Sequence, residues 1–200
     1  YPTKGTPQGG ILSPLLANIV LNELDWWVYS QWEGMPTRHY YPGFKHENGS
    51  ESKAHTYRAL RSTKLKEMYI VRYADDFKIF CSKRSDANKI FHAVEQWLKT
   101  RLKLDISPDK SKIVNLKKNY SDFLGFKLKA VKRGKRYIVR SHMTDKAINR
   151  EIDALKAQIK KIEFPKSYEY ETKEILQYNS MVMGIHQYYG IATKIPDDCD

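Results

Sequence analysis

Met68-Tyr69-Ile70-Val71-Arg72-Tyr73-Ala74-Asp75-Asp76-Phe77-Lys78-Ile79-Phe80-Cys81 is the stretch on which the reading of this 200-residue chain turns. Two apolar, alternating runs, 68–73 and 77–81, flank two adjacent aspartates. Period-2 patterning on both sides of a short polar break predicts a β-hairpin. Tyr69, Val71 and Tyr73 fall on one face of the first strand, and Met68, Ile70 and Arg72 on the other. Both strands are expected to be largely buried, which would hold the tip on a rigid support. Two bare carboxylates side by side repel and stabilise almost nothing alone. Asp-Asp is also an ordinary turn dipeptide, because Asp tolerates turn backbone angles and bonds its own main chain. The competing reading is metal chemistry. Hard carboxylate oxygens are the ligands Mg²⁺ prefers, and two-metal phosphoryl transfer requires them.

Composition narrows the partners. Lys and Arg number 35 against 23 Asp and Glu, a formal charge of +12, and 41% of residues are hydrophobic, enough for a real core. Such an excess of positive charge points to a polyanion, most often nucleic acid. The charge is clustered: Lys53, Arg58, Arg61, Lys64 and Lys66 run without an intervening acid, as do Lys127, Lys129, Lys132, Arg133, Lys135 and Arg136. Fourteen tyrosines and four tryptophans supply amphipathic rings, most of them expected in the core and some able to stack on bases. Cys81 and Cys199 form no disulfide framework, which predicts a reducing, intracellular setting. No run of 18 apolar residues occurs, so no membrane span is predicted. There is no signal peptide, and the chain opens on Tyr1, which suggests that it begins inside a longer protein.

Along the chain, residues 1–10 read as a loop. Ser13-Pro14 is expected to cap and start a helix running to about Trp32, apolar enough to be buried on more than one side. Residues 34–66 read as a long, polar, irregular surface excursion. After the hairpin, Ser85 is expected to cap a helix with Ile90, Phe91, Val94, Trp97, Leu98 and Leu102 inward. Strands are expected at 112–116, 121–129 and 136–141, the last two joined at Lys132-Arg133-Gly134-Lys135. From Thr144 the pattern turns helical: about 144–162, a break at Pro165, then about 172–190. The boundary between an α/β part and an all-α part therefore falls near 142.

Several motifs, in order, resemble those of reverse transcriptases encoded by group II introns. They are Gly5-Thr6-Pro7-Gln8-Gly9-Gly10-Ile11-Leu12-Ser13-Pro14-Leu15-Leu16-Ala17-Asn18, then Tyr73-Ala74-Asp75-Asp76, then Leu104-Asp105-Ile106-Ser107-Pro108-Asp109-Lys110-Ser111-Lys112. Phe123-Leu124-Gly125-Phe126 follows, and then Tyr178-Asn179-Ser180-Met181 with Gly184, Tyr188 and Tyr189. The resemblance covers nearly the whole chain. It implies an α+β fold: a right-hand polymerase palm, an antiparallel sheet with packed helices, over 1–142, and an all-α thumb or maturase domain over 143–200.

It also implies an RNA-directed DNA polymerase that binds intron RNA, assists splicing and takes part in retrohoming. The alternative is a splicing-only, RNA-binding maturase without polymerase activity. By the resemblance, Asp75 and Asp76 are catalytic and bind metal, with two Mg²⁺ ions in the complete enzyme. Pro7, Gln8, Gly9, Tyr73 and Ala74 lie against template and nucleotide, and Leu124, Gly125 and Phe126 form a primer grip. RNA-contact candidates are Lys53, Arg58, Arg61 and Lys64 in the basic excursion, Lys132 and Arg133, and Lys146, Arg150, Lys156 and Lys160 along one helix; a solvated helix face is the plainer reading of the last set. The implied partners are group II intron RNA, an RNA template with a DNA primer, dNTPs and a DNA target, with a homodimer left open. The implied location is the bacterial cytoplasm, in a nucleoid or ribonucleoprotein setting, with an organelle left open. The family's first metal-binding aspartate has no counterpart in these 200 residues, nor does the fingers region, so the fragment alone is expected to be inactive as a polymerase.

Overall fold

A computed structural model describes residues 11–165 and 167–193. The chain divides into two compact units, with the boundary between Ile113 and Val114. The fold class is α+β: among the described residues there are five α-helices and three small antiparallel sheets. The boundary between units precedes the change from strands to helices, so the last sheet and the last two helices share one unit.

In the first unit, α1 (Ser13–Gln31) is followed by a two-stranded ribbon of β1 (Phe44–Lys45) and β2 (Glu51–Ser52), then α2 (Ala54–Arg61). The hairpin β3 (Met68–Tyr73) and β4 (Asp76–Cys81) comes next, then α3 (Arg84–Trp97). Its core joins Leu24, Val28 and Trp32 of α1 and the following turn to Leu60 of α2, Met68 of β3, and Ile90, Val94 and Leu98 of α3 and its extension. Trp27 and Trp97 stack at 5.2 Å between ring centroids and tie α1 to α3.

Several expectations need correction here. Ser13 is the first helical residue rather than the cap; Leu12 flanks α1 without a side-chain bond, and Pro14 occupies the first turn. Only one side of α1 is buried, with Leu12, Leu15, Leu16, Ile19, Val20 and Trp26 exposed. The 34–66 excursion is not irregular throughout. It contains β1, β2 and α2, because Leu60 reaches the core and the Tyr57 hydroxyl donates to Glu33 Oε1 at 2.7 Å. Burial, followed by that bond to a carboxylate, raises the Tyr57 pKa. Helix α3 starts at Arg84, after Lys83, with no Ser85 cap. It runs on as a π-helical turn, Leu98–Leu102, which stops at Lys103 in the left-handed region (φ 57°). Residues 112–116 form no strand.

The second unit holds a three-stranded sheet of β5 (Ser121–Phe123), β6 (Phe126–Arg133) and β7 (Arg136–Met143), in that spatial order. The expected strand 121–129 is broken by a two-residue turn at Leu124-Gly125, both at positive φ (52° and 81°), which pairs Phe123 with Phe126. A second tight turn at Gly134-Lys135 pairs Arg133 with Arg136. The helices α4 (Asp145–Glu163) and α5 (Tyr168–Tyr189) follow. Thr144 caps α4 by accepting from Ala147 N at 3.2 Å, and Ser167 caps α5 by accepting from Tyr170 N at 3.3 Å. That second cap starts α5 earlier than the expected 172. Met143, Ala147 and Tyr189 make this unit's core, with Phe126, Ile148 and Ile185 packed on it. Buried Gln158 locks the two helices by donating to Glu174 Oε2 (2.6 Å) and to its carbonyl (3.0 Å). No described helix is long and apolar enough to cross a membrane.

Candidate active site

The two aspartates stand where the hairpin bends, though not symmetrically. Pairing runs from Met68↔Cys81 to Tyr73↔Asp76, so Ala74 and Asp75 form the two-residue turn and Asp76 is the first residue of β4. Ala74 takes the left-handed conformation (φ 51°) that such a turn requires. Tyr73 and Asp76 are directly opposed and share a face of the ribbon. Both aspartates are exposed, and Tyr73 is 66% exposed. The expectation that both strands are largely buried therefore holds in part. Met68, Ile70, Phe77, Ile79 and Cys81 on the inner face meet the core, and so does Tyr69 on the other face, where Val71 and Tyr73 stay in solvent.

Arg72 is the residue that the sequence reading left without a role. It lies on the inner face, where a strand normally places an apolar side chain. Its Nε donates to both carboxylate oxygens of Asp25 at 3.0 Å, and its Nη2 donates to Oδ2 at 2.7 Å. Its Nη1 donates to Asn18 Oδ1 at 2.8 Å and to the carbonyl of Ala74 at 2.7 Å. One side chain thus ties the turn that carries Asp75 to two residues of α1. The available signal was a charge at an inward position, which must find an acid or stay unpaired.

The other assigned residues are spread more widely. Pro7, Gln8 and Gly9 lie outside the described residues. Lys53, Arg58, Arg61 and Lys64 are exposed on or beside α2. Arg61 is committed to Glu67, bonding Oε1 at 2.6 and 2.9 Å, and these bonds from the guanidinium hold the Glu67 carboxyl below the usual carboxylate range. In the second unit Leu124, Gly125 and Phe126 form a turn and the start of β6. The Tyr188 hydroxyl donates to the Leu124 carbonyl at 3.1 Å, and the Phe126 ring stacks on Tyr188 at 5.7 Å. An open cavity of about 400 Å³ lies beside this turn, walled by Arg150, Met181, Gly184 and Tyr189 among others. Lys132 and Arg133 are exposed at the far end of β6, and Lys146, Arg150, Lys156 and Lys160 are exposed along α4. Arg150 is engaged by Glu151 at 2.5 Å and by the Tyr189 hydroxyl at 3.4 Å.

The profile of the reverse transcriptase (RNA-dependent DNA polymerase) family matches residues 1–128, a span that contains the hairpin. The chain belongs to the reverse transcriptase family. Among similar proteins, the putative COX1/OXI3 intron 2 protein of Saccharomyces cerevisiae is 29% identical over 240 aligned residues, covering 96% of this chain and 28% of the yeast protein. The group II intron-encoded protein LtrA of Lactococcus lactis subsp. cremoris is 27% identical over 243, covering 96% of this chain and 40% of LtrA. Protein YkfC of Escherichia coli strain K12 is 30% identical over 160, covering 74% of this chain and 39% of that protein. The chain therefore spans well under half the length of these relatives. The motif resemblance to the group II intron reverse transcriptase and maturase lineage is borne out by the family match and by the first two of these relatives.

The family's general chemistry is RNA-directed DNA synthesis, a nucleotidyl transfer that uses Mg²⁺. Among the described residues no group of three or more His, Cys, Asp and Glu side chains could hold a metal ion. Two exposed carboxylates fit that cation nonetheless. Mg²⁺ in polymerase sites is held by one or two carboxylates together with substrate phosphates and water, not by an all-protein cage.

Proposed function

We propose that this chain carries the catalytic hairpin of an RNA-directed DNA polymerase encoded by a group II intron, in a protein that also binds intron RNA and assists splicing and retrohoming. The observation that carries the reading is the exposed Asp75-Asp76 pair, held on a turn anchored by Arg72, within the family-matched span. Asp75 and Asp76 would hold Mg²⁺. The bound metal supplies activation of the primer 3′-hydroxyl and neutralisation of the leaving pyrophosphate. Tyr73, beside Asp76 on the solvent face, lies against the primer end, and Ala74 keeps the turn small enough for close approach. Leu124, Gly125 and Phe126 position the primer strand, and Pro7, Gln8 and Gly9 contact the templating base pair. Residues 143–200 act as the helical thumb, and the basic side chains of α4 and of the α2 region contact RNA phosphates.

Two carboxylates are one short of the three the resemblance implies, so the 200-residue chain alone should not extend primers. The test is Mg²⁺-dependent primer extension on an RNA template, run with this chain and with the protein that carries it. Expected is extension only by the latter, falling to background in an Asp75→Ala, Asp76→Ala variant. Undiminished extension by the variant would refute the hairpin's role. Intact RNA binding with no extension by either form would instead favour the splicing-only reading.

A further inference from the structure

The two faces of the second unit's sheet have different partners. Phe126 and its cross-strand partner Met143 lie in the core, and Ser141 on the same face accepts from Thr193 N at 2.9 Å. Alternation puts Lys127, Lys129, Val131 and Arg133 on the opposite face, and the register sets His142, Arg140, Ile138 and Arg136 directly across from them. Two rungs of that face, Lys129↔Arg140 and Arg133↔Arg136, are like-charge pairs.

Like charges directly opposed in a ladder destabilise it. No ion pair is formed by Lys129, Arg133, Arg136 or Arg140 among the described residues. Of the acids nearby, Asp145 serves Lys127 instead, accepting from its Nζ at 2.6 Å, and Asp122 stands opposite Lys127 in the β5 register. Tyr120, just before β5, gathers the positive end of the face. Lys129 Nζ lies 5.0 Å and Lys127 Nζ 5.9 Å from its ring centroid, and the His142 ring stands edge-on at 6.1 Å.

We propose that this sheet face is a nucleic-acid docking surface that takes a sugar-phosphate backbone across the Lys129–Arg140 and Arg133–Arg136 rungs. The inference rests on the proposed function only for the class of ligand. The two rungs are four residues apart along β6, about 13 Å, so one strand carrying several phosphates spans both. A polyanion lying there turns the cross-strand repulsion into paired attraction. Contacts of this kind are blind to base sequence and sensitive to salt. Of the basic run seen in sequence, Lys132 belongs to the other face of β6 and takes no part.

The experiment is fluorescence anisotropy of a labelled oligouridine with the 200-residue chain over a range of salt concentrations. Lys129→Gln with Arg140→Gln should lower the slope of log K against log salt by about 1.4, the value for two lost contacts to a single strand. Arg133→Gln with Arg136→Gln should do the same. Arg84→Gln with Lys89→Gln, the same charge loss on exposed positions of α3, should leave the slope unchanged. The Arg133–Arg136 variant removes only like charge and should not melt below wild type, which keeps folding defects out of its result; the Lys129–Arg140 variant also loses the contact with the Tyr120 ring, so its melt is measured beside it. An equal fall in the α3 control, or no fall in either sheet variant, would overturn the proposal. The polymerase reading is tested separately by primer extension, so the two can fail independently.

Discussion

The guanidinium of Arg72 uses all three of its nitrogens inside the first unit: on Asp25, on Asn18 and on the carbonyl of Ala74. A two-stranded ribbon standing alone is marginally stable, and this side chain fastens its turn to α1. Removing it leaves half-buried Asp25 without its cation and the Ala74 carbonyl without its donor. Arg72→Ala should therefore cost roughly 2–3 kcal/mol, read from the urea midpoint. Arg72→Lys should restore less than half, because an ammonium is a point charge that cannot span a carboxylate and a carbonyl at once. A loss below about 0.5 kcal/mol would show that water replaces the network. At this scale the place of Asp75 and Asp76 at the bend of a hairpin was readable from the sequence, since their apolar flanks stand out. The Arg72 network was not, because its partners lie 47 and 54 residues away and no local pattern links them.

Among elements, those with a strong period were legible and those held by one or two anchors were not. The hairpin β3–β4 and helix α3 repeat their apolar positions over several turns or rungs. Helix α2 is only eight residues long, too short a window for its amphipathic pattern to stand out within a polar stretch. The Leu124-Gly125 turn was hidden inside a continuous apolar run, where a Gly reads as a weak spot in a strand rather than as its end. That turn and the Gly134-Lys135 turn give a comparison. Both glycines sit at positive φ, but an added Cβ at Gly125 would come within 3.1 Å of the Tyr189 hydroxyl, whereas Gly134 faces open space. Gly134→Ala should cost about 1 kcal/mol from backbone conformation alone. Gly125→Ala should cost about 1 kcal/mol more, because Tyr189 is packed in the core and cannot easily yield. Thermal melts of the two variants decide it. Equal shifts would mean that the Tyr189 ring moves freely.

At the scale of the whole molecule, the formal charge of +12 keeps copies of the chain apart, while one face of α1 works against it. Leu12, Leu15, Leu16, Ile19 and Val20 recur at helical spacing and are 63%, 58%, 45%, 60% and 45% exposed. Leu21, Leu24 and Val28 occupy the opposite side and are buried. A sequence apolar on both sides of a helix predicts burial on both, and among the described residues only one side is buried. A contiguous exposed stripe of this size is a liability for association in water. Repulsion between the charged surfaces is screened as salt rises, since the Debye length shrinks from about 10 Å at 0.1 M to about 3 Å at 1 M. The apolar attraction is not screened. The chain should therefore associate increasingly at high salt, seen as growing light scattering at constant protein concentration. Leu15→Gln with Ile19→Gln leaves the charge unchanged and keeps good helix formers at both positions. It should delay the onset of scattering and reduce binding of an apolar dye, with the urea midpoint shifted by less than about 0.5 kcal/mol. Scattering that rises at the same salt in the variant would place the adhesive surface elsewhere, and the exposed side chains along α5, Leu176 and Met183, would be the next to change.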